Sequence, residues 1–201
     1  MLNRYFLLIV FLFSSFIGTV ACSSNSSSPA SELYCARSLK PVLNKIQQLP
    51  QVEQLIQQAT EEGPVSIQEN NRYSSKFEGY WSSDDRTIVL TKHRNTTEGG
   101  LISTMLFELH NAKRNKDFRT LDHQALRGEI SKGEYVEAVE YIEYENALAV
   151  SALLDEGIEM GIFPRNSAWH PHRSFEDHYR LQRTSGHSKW IAKNYDMLFG
   201  Y

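Results

Sequence analysis

Apolar positions are distributed along the chain in three regimes. Tyr5 to Val20 is an almost unbroken apolar run behind the single positive charge of Arg4. Small residues follow at Thr19-Val20-Ala21. Charge, apolar core and small-residue exit in that order read as a secretory signal peptide over residues 1–21. The run is ~16 residues, short of the ~20 needed to span a bilayer, and no basic stop-transfer flank follows. Residues 22–31 (CSSNSSSPAS) are polar and of low complexity, the composition of a flexible tether. From residue 32 the pattern becomes that of a single globular domain, 32–201.

Within that domain the period changes twice. Residues 33–48 and 51–62 read as two helices broken at Leu49-Pro50, the second striped by Val52, Leu55, Ile56 and Ala59. Val65 and Ile67 then alternate with Ser66 and Gln68. Phe77, Tyr80 and Trp81 form a short aromatic run, and Arg86 to Thr91 is rich in β-branched residues. These predict three short strands, the last two a hairpin over Ser82-Ser83-Asp84-Asp85. From Thr97 onward the helical period returns: Gly99 to about Lys116, a short helix over 122–129, and a long one opened by the capping box Ser131-x-x-Glu134. The long helix is expected to end at Gly157, a length of ~35 Å. A Pro-containing loop over 161–173 and helices at about 175–183 and 187–198 complete the domain. The fold class predicted is α+β, a mostly helical domain with a small antiparallel sheet of about three strands.

Composition narrows the function classes. The chain carries 21 basic and 24 acidic residues, formal charge −3, and removing Arg4 with the leader makes the rest slightly more acidic. There is no electrostatic footprint for nucleic acid or anionic lipid. No Gly-x-Ser-x-Gly elbow and no phosphate-cradling glycine loop is present. The expected location is outside the cytosol: periplasm, outer membrane or extracellular space. The expected partner is a protein or small molecule, with membrane contact only through a lipid on Cys22.

Cys22 has three readings. Val20-Ala21-Cys22 followed by a Ser-rich tether resembles a bacterial lipobox, which implies a lipid on Cys22; Thr19 departs from the aliphatic residue that pattern prefers. Cys22 can instead pair with Cys35 in an oxidising compartment, or be lost to a slightly later cleavage.

Chemistry concentrates on two helices. Leu101, Met105, Leu109 and Ala112 share an apolar face, and Glu108 and Asn111 fall on or beside it. In the long helix Val139, Ile142, Val150 and Leu153 form a stripe that carries Glu143 and Asn146. Two Glu-x-x-Asn units thus point inward, where a carboxylate is costly unless paired or protonated. This predicts that the two helices pack together through a polar network of Glu108, Asn111, Glu143 and Asn146, with Glu108 the candidate catalytic group. A carboxylate-bridged dimetal centre would need His where both Asn residues stand.

The strand over Arg86–Thr91, followed by a helix carrying Phe107-Glu108-Leu109-His110-Asn111, resembles the strand–helix unit of zincin metallopeptidases over residues 86–146. Their helix carries His-Glu-x-x-His, two zinc ligands around a general-base Glu. The resemblance implies a degenerate zincin-like fold with Glu108 in the position of that Glu and Glu143 in that of a third ligand. Phe107 and Asn111 occupy the two His positions, so it implies no zinc on this helix.

The other candidate chemistry lies near the C-terminus. His170, His172, His178 and His187 fall close together, with Glu176 and Asp177 among them, and form a candidate transition-metal set. Ser185-Gly186-His187-Ser188 reads as a turn into the last helix. The leading expectation is therefore a non-catalytic binding or structural protein of the envelope or exterior, without a cofactor. The alternative is a divergent zincin-like hydrolase or metal-binding enzyme with a metal at the C-terminal histidines.

Overall fold

The computed structural model describes residues 32–70 and 77–200. The expected signal peptide, tether and Cys22 lie outside the described residues. The chain runs β1 (Leu33–Cys35), α1 (Lys40–Ile46), α2 (Pro50–Thr60), β2 (Val65–Asn70), β3 (Gly79–Ser82), β4 (Thr87–Thr91), α3 (Glu98–Lys113), α4 (Asn115–Leu126) and α5 (Lys132–Glu159). A 3₁₀ turn (Arg165–Ser167), α6 (Phe175–Ser185) and α7 (His187–Leu198) follow. The fold is α+β and mostly helical.

The sheet differs from the expected three antiparallel strands. It has four strands in the order β1-β2-β4-β3 and is mixed. Leu33 to Cys35, expected to open the first helix, instead pairs in parallel with Val65 to Ile67. Parallel pairing needs a crossover, and α1 and α2 supply it. β2 and β4 are also parallel, with Ile67 opposite Ile88. β3 and β4 form the expected antiparallel hairpin, Trp81 opposite Ile88, which leaves β3 at the sheet edge. Its turn is fixed by Arg86, at φ +46°. The Arg86 guanidinium donates to the carbonyls of Ala59, Gly63 and Pro64 and lies 5.6 Å from the Trp81 ring centre.

α3 packs on the sheet and is enclosed on nearly every side, which is why its polar residues Thr104, Glu108, His110 and Asn111 are buried with its apolar ones. β3 approaches it closely at Gly79, where a Cβ would stand 2.7 Å from the Thr104 methyl. The helix expected over 99–116 ends at Lys113, and a separate α4 starts at Asn115.

α5 opens with the full capping box of Ser131 and Glu134. It does not stop at Gly157. That glycine lies inside the helix because Phe163 folds back onto it, within 2.2 Å of where a Cβ would be. α5 also spans two apolar clusters. Tyr135, Val136 and Val139 pack with Ala125 and Ile191. Val150 and Leu154 pack with the sheet, α1, α2 and α3. Between these clusters the buried face of α5 turns polar, at Glu140, Glu143 and Asn146.

Candidate functional site

Three elements surround that polar stretch. From α3, Glu108 is buried, and its Oε2 accepts a hydrogen bond from Asn111 Nδ2 at 2.9 Å. Asn111 Oδ1 accepts in turn from Asn146 Nδ2 on α5, also at 2.9 Å. Asn146, Asn111 and Glu108 thus form one chain of donors running from α5 through α3 to the Glu108 carboxyl, a chain that Glu143 does not join. The backbone N–H of Trp81 on β3 is a further donor to Glu108. Trp81 is itself held: its Nε1 donates to Asn115 Oδ1 at 3.1 Å, Ser83 Oγ donates to the same oxygen, and Asn115 Nδ2 donates to Glu62.

From α5, Glu140 has no solvent exposure. Its Oε1 accepts from Ser188 Oγ at 2.7 Å and lies 3.2 Å from His187 Nδ1. Its Oε2 lies 3.5 Å from His178 Nε2, too long for a formed hydrogen bond, and both atoms are enclosed without a hydrogen-bond partner. Glu143, one turn along, places Oε2 3.6 Å from His187 Nδ1. His187 comes from the first residue of α7. Gly186, at φ +93°, ends α6 and starts α7 without an intervening loop, and this sharp reversal aims His187 and Ser188 at α5. The His187 ring stands edge-on to Phe77, with centroids 5.6 Å apart, and stacks on half-exposed Trp190 at 5.8 Å.

Electrostatics separate the groups. Burial pushes the Glu108 carboxyl up to about 8, with the Asn111 and Trp81 donors and the His187 charge opposing it and the Glu143 charge adding to it. Burial, with the Glu140 charge, likewise raises Glu143 to about 7 against His187 and His178. Burial works against charge on Glu140 as well, but His178, His187 and Ser188 more than reverse it and leave the group at about 2. His187 is held up at about 9: its own burial is overcome by the bond to Glu140 and the charges of Glu143, Glu140 and Glu108. Burial thus favours the neutral form of Glu108 and Glu143, while the Glu140–His187 pairing favours the charged form of both partners. Displaced pKa values in one buried cluster mark candidate working sites.

The expected residues divide on this geometry. Glu108, Asn111 and Asn146 are joined by hydrogen bonds, whereas Glu143 lies with Glu140 and His187 and Ser188 donates to Glu140. Of the four C-terminal histidines, His187 reaches the centre and His178 stands at the far oxygen of Glu140. His172 packs its ring on His178 at 6.0 Å. His170 is exposed on the loop. One ligand atom each from Glu140, Glu143 and His187 lies within 4.8 Å of the others, a spacing that can hold a metal ion. The positions that carry zinc in a zincin helix do not form a site here. Phe107 stacks on Trp169 at 5.1 Å, and the Asn111 oxygen is taken by Asn146. His110 faces away, with Nδ1 2.8 Å from its own helix carbonyl at Leu106.

Glu140 was the residue that sequence reading passed over. Its signal was present: it lies four positions after Val136 and three before Glu143, on the buried stripe. The inward aim of His187 had no such signal, because it depends on a contact 47 residues away. Cys35 is a half-buried free thiol among the described residues. Comparison of the chain with known protein families, characterised proteins and solved structures gives no match.

Proposed function

We propose that the chain is an exported protein, directed out of the cytosol by residues 1–21, and that its working site is the Glu108–Glu140–Glu143–His187 centre, which performs hydrolytic acid–base chemistry. The observation that carries this reading is the convergence of the Glu140 and Glu143 carboxylates on His187, with buried Glu108 of α3 coupled to Glu143 and His187 by charge. Glu108 holds a proton at neutral pH and can deliver it to a leaving group. The charged set opposite polarises water. Fixed charges in a site of low dielectric act with little reorganisation, so they stabilise developing charge more than the same groups do in water. The resemblance to the zincin strand–helix unit extends to the order of β4, α3 and Glu108 alone, and supports neither zinc on α3 nor a peptidase.

The test is turnover of a panel of peptide, ester, glycoside and phosphoester substrates by the folded chain and by Glu108→Gln. The reading expects one class to be hydrolysed and Glu108→Gln to remove at least 10²-fold of that rate, the lower range for a general acid. Hydrolysis that persists in Glu108→Gln, or none in any class, overturns it. A non-catalytic binding or structural role is the second reading. It is favoured by the Asn146–Asn111–Glu108 chain, whose hydrogen bonds clamp α3 to α5 whatever else the centre does.

A further inference from the structure

We propose that Glu140, Glu143 and His187 form a binding site for one divalent transition-metal ion of the zinc type, with Glu108 beside it as a non-ligand. This rests on the reading that the same centre is the working site. Geometry carries the proposal. His187 Nδ1 stands 3.2 Å from Glu140 Oε1 and 3.6 Å from Glu143 Oε2. Ligand atoms about 2.0–2.2 Å from a tetrahedral zinc ion lie about 3.3–3.6 Å from one another, so these two edges are already of the right length. Glu140 and Glu143 are three residues apart on α5, which puts both carboxyls on one helix face, and α7 closes the third side.

A second observation points the same way. Glu140 Oε2 and His178 Nε2 are both enclosed, face each other at 3.5 Å, and lack a hydrogen-bond partner. Buried polar atoms are rarely left so. A cation on Oε1 would leave Oε2 as the atom that faces His178. His178 then becomes the outer partner that orients a ligating carboxylate, a usual feature of metal sites. Ser188 Oγ already fixes Oε1 from the α7 side.

The donor set selects the ion. One imidazole with two carboxylates suits zinc and its neighbours, whereas calcium and magnesium take oxygen alone. Three protein ligands leave a fourth position open for water or substrate, the arrangement of catalytic rather than structural zinc sites. Glu108 is not a fourth ligand: its Oε2 is held by Asn111, and it falls outside the group of ligand atoms that lie within 4.8 Å of one another.

The full chain, purified without a histidine tag and stripped with a chelator, is to be titrated with zinc by calorimetry and with cobalt(II) by visible absorption. The expected result is one ion per chain, cobalt bands of tetrahedral intensity, and a loss of affinity of at least tenfold in both Glu143→Gln and His187→Gln. The paired variant His170→Ala/His172→Ala should bind as the wild type does. Glu108→Gln should also keep its metal, so that loss of hydrolysis in that variant and loss of metal in the others are separate failures. Circular dichroism confirms that each variant folds. If either ligand variant is misfolded, the cobalt spectrum of the wild type decides: an imidazole–carboxylate tetrahedral spectrum supports the site, and an octahedral spectrum contradicts it. No binding to the wild type, binding unchanged in folded Glu143→Gln and His187→Gln, or binding lost with His170 and His172 overturns the proposal.

Discussion

Replacing Glu108 by Gln should become progressively more favourable to stability, relative to wild type, from mildly acid to mildly alkaline solution. Glu108 keeps its proton in the folded chain up to about pH 8, whereas an unfolded Glu gives it up near 4.3. Between those values the native state binds more protons than the unfolded state, so stability falls as pH rises. The slope from one such group is about 1.4 kcal/mol per pH unit. From pH 5.5 to 7.5 this amounts to about 3 kcal/mol, reduced toward 1 kcal/mol as water reaches the group. Gln has no charge to bury and should lack this slope. It does replace one carboxyl oxygen by an NH2 group that can only donate, which costs on the order of 1 kcal/mol at any pH. Glu108→Gln should therefore gain stability relative to wild type steadily from pH 5.5 to pH 8. Glu143 and His187 are coupled to Glu108 by charge, so the difference between the two proteins reports the loss of Glu108 together with its coupling to them. The assay is thermal unfolding with chelator present at pH 5.5, 6.5, 7.5 and 8.0. At about 2–4 °C per kcal/mol for a domain of this size, the Tm difference between the proteins should swing by roughly 2–12 °C. Parallel Tm curves would mean that Glu108 is an ordinary solvated carboxylate, and a wild type that gains stability relative to Gln with rising pH would refute the reasoning outright.

Three further outcomes are expected. Asn111→Leu removes the acceptor of Asn146 and the donor of Glu108 while keeping the volume; chemical denaturation should show a loss of about 1–3 kcal/mol, and an unchanged midpoint would dissolve the network. Gly157→Ala should destabilise despite the ~1 kcal/mol of helix propensity it gains, because its methyl would collide with the Phe163 ring; the double variant Gly157→Ala/Phe163→Leu should recover part of the loss in the same denaturation experiment. Cys22→Ser should move the protein from the membrane to the soluble fraction if Cys22 carries a lipid, and mass spectrometry that finds an intact Met1 would contradict export.

Local pattern carried much of this fold and about half of the centre. The β3–β4 hairpin, the Ser131 capping box and the inward faces of α3 and α5 follow from residues within a few positions of one another. Periodicity therefore reached Glu108, Asn111, Glu143 and Asn146. What it missed is set by distant contacts. Leu33 to Cys35 is a strand only because Val65 to Ile67 lies beside it, and three residues cannot show a period. The parallel sheet order depends on a crossover through α1 and α2. Gly157 reads locally as a helix stop, yet Phe163 needs the missing side chain there and the helix runs on. The four C-terminal histidines look alike in the sequence, and only the reversal at Gly186 separates His187, which reaches Glu140, from His170, which remains in solvent.

The most direct test of a shared buried centre is site-resolved titration of the glutamate carboxyls by carbon-13 NMR in the metal-free protein. Interacting groups titrate as a set, so the signals are assigned by the loss of each in Glu108→Gln, Glu140→Gln and Glu143→Gln. The account predicts one carboxyl titrating near pH 8 that vanishes in Glu108→Gln, one near 7 that vanishes in Glu143→Gln, and one still ionised below pH 3 that vanishes in Glu140→Gln. Titration of all three between pH 4 and 5, as for glutamates in water, would contradict it.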